Sequence, residues 1–591
     1  MSSTNLSAKK RKRMLEFLGK LKTQFSEDNN PEASESSNDQ KIDREEVLKA
    51  INEIENELIS KKYGLVWEEH EEEVDRMLEN NIPVFSEVKD KEIINDAEDN
   101  DYNFLIEGDN LHSLKLLEKT HKGKIDVIYI DPPYNTGNKD FVYDDKYVGE
   151  DDSYRHSKWI SFINERLGTA RSLLKEDGLI FISINDCELS SVKLLCDGIM
   201  GEKNYVENFI WVKNSGGSLS KTTLTRHEYV LCYAKNIEKS YRNSIYMMLK
   251  PGYREITNLI EKSKDNKCSI EETEQIIKKY YKNNPDLKGI SLYNNIDEEY
   301  RCFRTLPITA PNNQFYDVLH PITKKPVKVP PRGWSWSKET MEKNIKNGKV
   351  LFGKDESYGI SQKLYLEDAK YEHKRSTFNC DQAEGNKDLK NVLSKNNVFD
   401  NPKPVSLLNY ILQNANKNSI VLDFFAGSGT TGQAVLELNK EDGGNRKFIL
   451  CTNNENNICE DVTYQRVKTV ITGKRKDGSE YSEGIPANLK YYKTDFVSKD
   501  AEYVEDDLLR STKELIQLEH GIDIDKSDYC LVLSEEDADG LEKKIDGMES
   551  LKGIYIANDV LLTSNQKDIF KNYEQYIIPD CFYEKEIINI T

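Results

Sequence analysis

Short apolar runs alternate with helix-patterned stretches through the middle of the chain. NFLIEGD (103–109), KIDVIYIDPPY (124–134) and DGLIFISIND (177–186) are rich in Ile and Val, and LHSLKLLEK and WISFINERLGTARSLLKE between them repeat apolar positions at helical spacing. Continuous apolar strands separated by helices predict a parallel α/β sheet covered on both faces. A second block with the same texture, SIVLDFFAGSGTTGQAVLEL (419–438) followed by KFILCTNNEN, lies far downstream. The Tyr-, Lys- and Asn-rich stretch between the blocks has weak periodicity. The pattern therefore reads as one α/β domain interrupted by a large insertion.

The flanks differ. A basic run from Lys9 to Arg13 opens an N-terminal helix, residues 26–41 form a polar linker without apolar periodicity, and EVLKAINEIENELISKKYGLVW resumes helical spacing. The acidic stretch up to Asn100 is expected to continue as helices. Beyond about residue 500, SDYCLVLSEED, LEKKIDGM and LKGIYIAND suggest a small terminal α/β unit. The expected division is 1–99 (helical, with the linker), 100–236, 237–400 (the insertion), 401–499 and 500–591.

Composition narrows the class. A length of 591 residues favours several domains. A mean hydropathy of −0.71 and the lack of an apolar run near membrane-spanning length argue against a membrane span. Ten scattered cysteines, with no CxxC pair and no Cys/His cluster, point to a reducing cytoplasm and to no bound metal. The net charge of −20 argues against nonspecific coating of nucleic acid. Residues 241–400, however, carry 28 Lys and Arg against 22 Asp and Glu, so any nucleic-acid contact is expected there.

Two loops carry chemistry. In VLDFFAGSGTTGQAV a buried strand ends at Asp423 and turns through Gly427 and Gly429 into a helix. Glycines allow close approach of a ligand, and the free N–H groups of a helix start favour an anionic group. Gly427, Gly429 and Gly432 also satisfy the GxGxxG spacing of dinucleotide sites, a weak signal alone. A dehydrogenase would be expected to open on this loop, which here comes late in the chain. S-adenosylmethionine is the alternative ligand, with a carboxylate after the next strand for its ribose: Glu455, or the neighbouring Asn453 or Asn454.

The second loop is Asp131-Pro132-Pro133-Tyr134, directly after DVIYI. Its two prolines remove backbone donors and stiffen the turn, leaving acceptors aimed outward. The Asp131 carboxylate and the Pro132 carbonyl can take both N–H groups of an exocyclic amine. Tyr134 offers a flat face to a base taken out of its stack.

DPPYNTGN and DFFAGSGTTG together resemble two motifs of the DNA amino-methyltransferases, in the order of the beta class. IEGDNLHSLKLL, NPKPVSLLNYIL and HEYVLCYAKN resemble segments of type III modification subunits. The resemblance implies a doubly wound, Rossmann-like methyltransferase sheet with an inserted target-recognition domain, and S-adenosylmethionine as methyl donor. It makes Asp131, Pro132, Pro133 and Tyr134 the target-base site, and adenine N6 the favoured acceptor because the first letter is Asp. Asp423, Phe425, Gly427 and Gly429 would cradle the methionine end, Asp109 would reach the adenine of the cofactor, and Lys403 and Pro404 would lie near its carboxylate. It further implies duplex DNA as substrate, a homodimer, and a separate helicase-nuclease partner, since no GxxxxGK[ST] occurs in this chain. Methylation of cytosine N4 or of RNA, and a DNA-binding subunit with an inactive core, are the competing readings.

In the insertion, Lys324, Lys325, Lys328 and Arg332 are candidate phosphate contacts. Trp334 and Trp336 beside them are as readily core residues. His227 and Glu228 of HEYVLCYA read as structural.

Overall fold

The computed structural model describes residues 72–582, apart from short gaps at 96–100, 138–140, 144–145, 150, 214–217, 220–221, 288, 310–313, 397, 525–528 and 549–550, together with Leu18, Trp67 and His70. The expected N-terminal helix, the 26–41 linker and the helical stretch after it lie outside the described residues.

An 11-stranded sheet runs through the molecule. In chain order its strands are β1 (Asn81–Glu87), β2 (Ile93–Ile94), β3 (Tyr102–Glu107), β4 (Ile125–Ile130), β5 (Leu174–Ile184), β6 (Tyr205–Val212), β7 (His227–Ala234), β8 (Thr377–Asn379), β9 (Ile420–Asp423), β10 (Lys447–Thr452) and β11 (Asn488–Ser498). The spatial order is β1-β11-β3-β10-β9-β4-β5-β7-β6-β8, with β2 also on β11. From β11 to β5 the strands run parallel, and β1 and β7 run antiparallel to their neighbours.

The central strands are apolar on both faces because both are covered. Ile128 and Ile130 of β4 pack with Leu114 and Ile163 on one face, whereas Val127 and Tyr129 pack with Leu408 and Val435 on the other. Here α1 is Glu73–Asn80, α2 Asn110–His121 and α3 Arg155–Leu173; on the second face lie α4 (Val405–Leu412), α5 (Thr430–Asp442) and α6 (Tyr464–Thr472). Alternate side chains of one strand thus enter separate cores, as the two-residue repeat of a strand dictates.

From β9 the chain crosses through α5 to β10 on one side; from β4 it crosses through α3 to β5 on the other. The order reverses between these adjacent strands, and such a switch point opens a crevice at the strand C-termini. The glycine loop follows β9 and the DPPY loop follows β4, so both border that crevice.

One expectation fails at the N-terminal flank. Residues 81–87 form strand β1, paired with β11 over the register Asn81↔Ser498 to Glu87↔Tyr492, and not a helix. Ile82 and Phe85 bury themselves, and Pro83 is tolerated because an edge strand can spare a donor.

The insertion builds its own cores. The helices Tyr253–Asp265 and Ile270–Asn283 pack around Ile256, Ile277 and Tyr293, and a four-stranded antiparallel sheet stands beside them. The chain rejoins the main sheet at β8, which pairs with β6, earlier than the expected boundary at 400. At the C-terminus a three-stranded parallel sheet (529–532, 553–557, 574–578) carries two short helices.

Candidate active site

A cleft of about 490 Å³ opens at the switch point. Asp109, Asp131, Pro133, Phe425, Gly427, Asn453 and Glu455 line it, so residues from both loops and from the ends of β3 and β10 meet as the sequence suggested. Its size suits a nucleoside-sized ligand. Much of its wall is aromatic: Phe141, Phe162, Phe399 and Phe424 join Phe425. Helix α1 covers it with Val74 and Met77, contributions with no local signature in the sequence.

Each carboxylate is positioned by local chemistry. Asp109 caps α2, accepting from the Leu111 N–H at 2.7 Å. The wholly buried Arg166 lies 3.6 Å from it and also grips Glu72 at 2.7 Å, tying α1 over the cleft. Asn454 turns away, its Oδ1 accepting from the Glu460 N–H. Of the three candidates after β10, Glu455 and Asn453 face the cleft.

The glycine loop is organised from behind. Asp423, 2 % exposed, accepts from the Phe425 N–H at 3.0 Å and from the Thr431 hydroxyl, so both oxygens are spent within the loop. Burial pushes its pKa up to about 7. Gly429 sits at φ +76° as the cap of α5, where a side chain would be strained and would stand 3.1 Å from Thr463 Cγ2. Neither residue lines the cleft. The buried Arg466 holds the helix start through Ser428, Thr430 and Gln433.

The DPPY loop is fixed at several points. The Trp159 indole N–H donates to the Pro133 carbonyl at 2.7 Å, and Asn135, at φ +56°, donates to Glu188 at 2.6 Å. The Tyr134 hydroxyl donates to Glu228 Oε2 at 3.1 Å. The Lys403 ammonium lies 3.0 Å from Asp131 Oδ1, 3.5 Å from Glu228 Oε2 and 4.8 Å from the centre of the Tyr134 ring. Asp131 Oδ1 is buried, with the Lys403 ammonium as its partner. Burial raises the Asp131 pKa, and the Lys403 charge opposes that rise.

Two readings shift. The Lys403 side chain points to the DPPY loop, while its carbonyl accepts from the Thr430 hydroxyl at the helix start. Glu228, read as structural, enters the site: β7 runs antiparallel, so its first residues reach the end of the sheet where the parallel strands finish. A charged residue opening an apolar strand was the available signal. In the insertion, Lys324, Lys325, Lys328 and Arg332 are exposed, with Lys325 3.0 Å from Glu356, whereas Trp334 is core.

A rigid acceptor loop and a glycine loop, side by side at the switch point of a doubly wound sheet, define a Rossmann-like methyltransferase. A family model described as DNA methylase matches residues 125–464. The EcoP15I Mod subunit of a type III restriction-modification enzyme from Escherichia coli is 33 % identical over 438 residues, 69 % of this chain and 67 % of its own length. The StyLTI Mod subunit from Salmonella typhimurium is 35 % identical, over 60 % of this chain and 52 % of its own. The chain thus spans between about half and two thirds of these relatives. Among solved structures, PvuII DNA methyltransferase (cytosine-N4-specific) aligns with a TM-score of 0.30 at 12 % identity, over 60 % of this chain and 83 % of that one. The chain belongs to the DNA methylase family, whose methyl donor is S-adenosylmethionine. The cleft fits that donor: the carboxylates of Asp109 and Glu455 for hydroxyl and amino groups, aromatic walls for a base, and Gly427 at φ +48° where a side chain would crowd Phe399. No helix among the described residues is long and apolar enough to cross a membrane.

Proposed function

We propose that this DNA methyltransferase acts on N6 of an adenine turned out of duplex DNA, as the modification and recognition subunit of a type III restriction-modification system. The buried Asp131 Oδ1, held on a proline-stiffened loop against the side-chain ammonium of Lys403, carries this reading. A buried carboxylate oxygen needs a donor, and the amine of a ligand can take the place that the Lys403 ammonium holds. The Asp131 carboxylate and the Pro132 carbonyl take the two N–H groups of the amine, and Tyr134 stacks on the base. Those contacts turn the nitrogen lone pair toward the cofactor side, and Asp131 is placed to take the proton the nitrogen releases.

S-adenosylmethionine, bound in the cleft, supplies a methyl group on a positively charged sulfur. Phe425 and Gly427 hold its methionine end, Glu455 or Asn453 its ribose, and Asp109 its adenine. Adenine is favoured over cytosine by Asp as the first loop residue. The insertion reads DNA through Lys324, Lys325, Lys328 and Arg332, and a second copy of the chain and a restriction subunit complete the assembly.

The test is methyl transfer from labelled cofactor to duplex DNA, with digestion to nucleosides. N6-methyladenine is expected; N4-methylcytosine, or preferential transfer to competing RNA, overturns the assignment. Asp131→Ala should abolish transfer and leave cofactor affinity within a few fold, measured by calorimetry.

A further inference from the structure

We infer that Glu228 is a positioning residue of the methyl-transfer site: backed by Lys213, its carboxylate is the seat to which the Lys403 ammonium withdraws when the target amine arrives beside Asp131. The inference rests on the amine-transfer reading of the DPPY loop and adds to it a residue that the loop motifs do not contain.

The arrangement follows from the hairpin of β6 and β7. Val212 pairs with His227, and the Lys213 N–H donates to the Arg226 carbonyl at 2.8 Å. That register sets Lys213 beside Glu228, and the two form an ion pair with both side chains nearly buried. Glu228 Oε2 faces forward and meets the Tyr134 hydroxyl and the Lys403 ammonium. Two cations and two carboxylates, Asp131 and Glu228, therefore share one neutral cluster.

Lys403 holds the place an exocyclic amine needs. Its ammonium carries N–H donors, lies against Asp131 Oδ1 and stands over the Tyr134 ring, the layer a stacked base would take. It is held there by its ion pair with Oδ1 at 3.0 Å. Such a cation can yield to a directed N–H donor, provided its charge keeps a partner; a buried ammonium stripped of both carboxylates would be strongly unfavourable. Glu228, 3.5 Å away, supplies that partner after a small displacement. It also fixes the Tyr134 ring through the phenol hydroxyl.

Two substitutions should move the site in opposite directions. Glu228→Gln confines the ammonium to Asp131, so 2-aminopurine placed at the target position is captured less well and the KM for DNA rises about tenfold. Lys403→Met clears the layer and keeps capture at least as strong as in the unaltered protein. The pH profiles should also part. Asp131 faces Lys403 and Glu228, with Tyr134 on its own loop, Tyr129 on β4 and Asp423 across on β9. Removing Lys403 raises the Asp131 pKa and moves the acid limb of kcat/KM to higher pH, whereas removing the Glu228 charge moves it lower. The double variant Lys213→Met with Glu228→Gln leaves no charge of that pair unpaired and should repeat the loss of capture, which decides the matter if Glu228→Gln alone folds poorly. Limbs that shift together, or capture that falls equally in all variants, would show Glu228 to be a structural strut and overturn the inference. Absence of amine methylation by the unaltered protein would instead overturn the functional reading beneath it.

Discussion

Replacing Asp423 by Asn tests whether that carboxylate organises the glycine loop or meets the cofactor. Burial pushes its pKa up from 3.8 to about 7; the Thr431 hydroxyl and the Phe425 N–H oppose the rise, and the Asp131 charge adds to it. Because the folded value lies above the unfolded one, the unfolded chain gives up this proton first. The group's contribution to stability is full below the unfolded pKa and is lost as pH rises through about 7. The rise corresponds to about 4 kcal/mol by pH ~8, of which a little under half is already lost by pH ~5. Asparagine carries no charge, keeps an oxygen for the Phe425 N–H, and turns its amide toward the Thr431 hydroxyl. Asp423→Asn should therefore gain roughly 2–3 kcal/mol over the unaltered protein between pH ~5 and pH ~8. Denaturant midpoints, with amide exchange of residues 423–431 to localise the effect, measure this gain. Cofactor affinity should stay within a few fold, since both oxygens are committed to the loop. A stability difference that does not change with pH would refute the buried-charge argument, and a large loss of cofactor binding would return Asp423 to the ligand.

Gly429→Val places a branched side chain at φ +76° and against Thr463, so cofactor binding should be lost in a calorimetric titration while the fold survives by circular dichroism. Arg466→Met leaves Ser428, Thr430 and Gln433 without their buried donor, which should cost about 3 kcal/mol in denaturant unfolding. Lys328→Ala and Arg332→Ala should weaken DNA binding evenly across sequences and reduce the salt slope of the binding constant by about one each, measured by fluorescence anisotropy.

Legibility in the sequence tracked how local the determining physics is. The buried strand before Asp131, the prolines after it and the glycines after Asp423 announce themselves within about ten residues, because strand burial, loop stiffness and positive φ are properties of short segments. Strand β1 was hidden for the opposite reason. Its apolar Ile82 and Phe85 stand three apart, as on a helix, and its pairing partner β11 lies about 400 residues away. Glu228 and Lys213 were obscured in the same manner: their meeting with Lys403 depends on sheet order. The aromatic wall of the cleft likewise draws Phe141, Phe162 and Phe399 from separate elements, none of which carries a local mark of a ligand site.

The position of the insertion gives the site a further logic. The chain leaves the main sheet after β7, which carries Glu228, and returns through β8 onto β6, beside which Lys213 lies. From β8 the chain runs through the helix Gln382–Leu393 to Lys403, whose carbonyl braces α5 and whose ammonium stands against Asp131. Both ends of the insertion therefore connect directly to the charged cluster around the target-base loop. Closing a longer or shorter loop between fixed ends changes chain entropy only slowly, so the insertion can vary in length while its ends stay anchored. A displacement of that domain would reach Glu228 through β7, and the glycine loop and Asp131 through Phe399 and Lys403 on the returning stretch. The insertion and the target-base loop are in this way joined through two short stretches of chain, and the returning one also reaches the cleft, where Phe399 lines the wall beside Gly427.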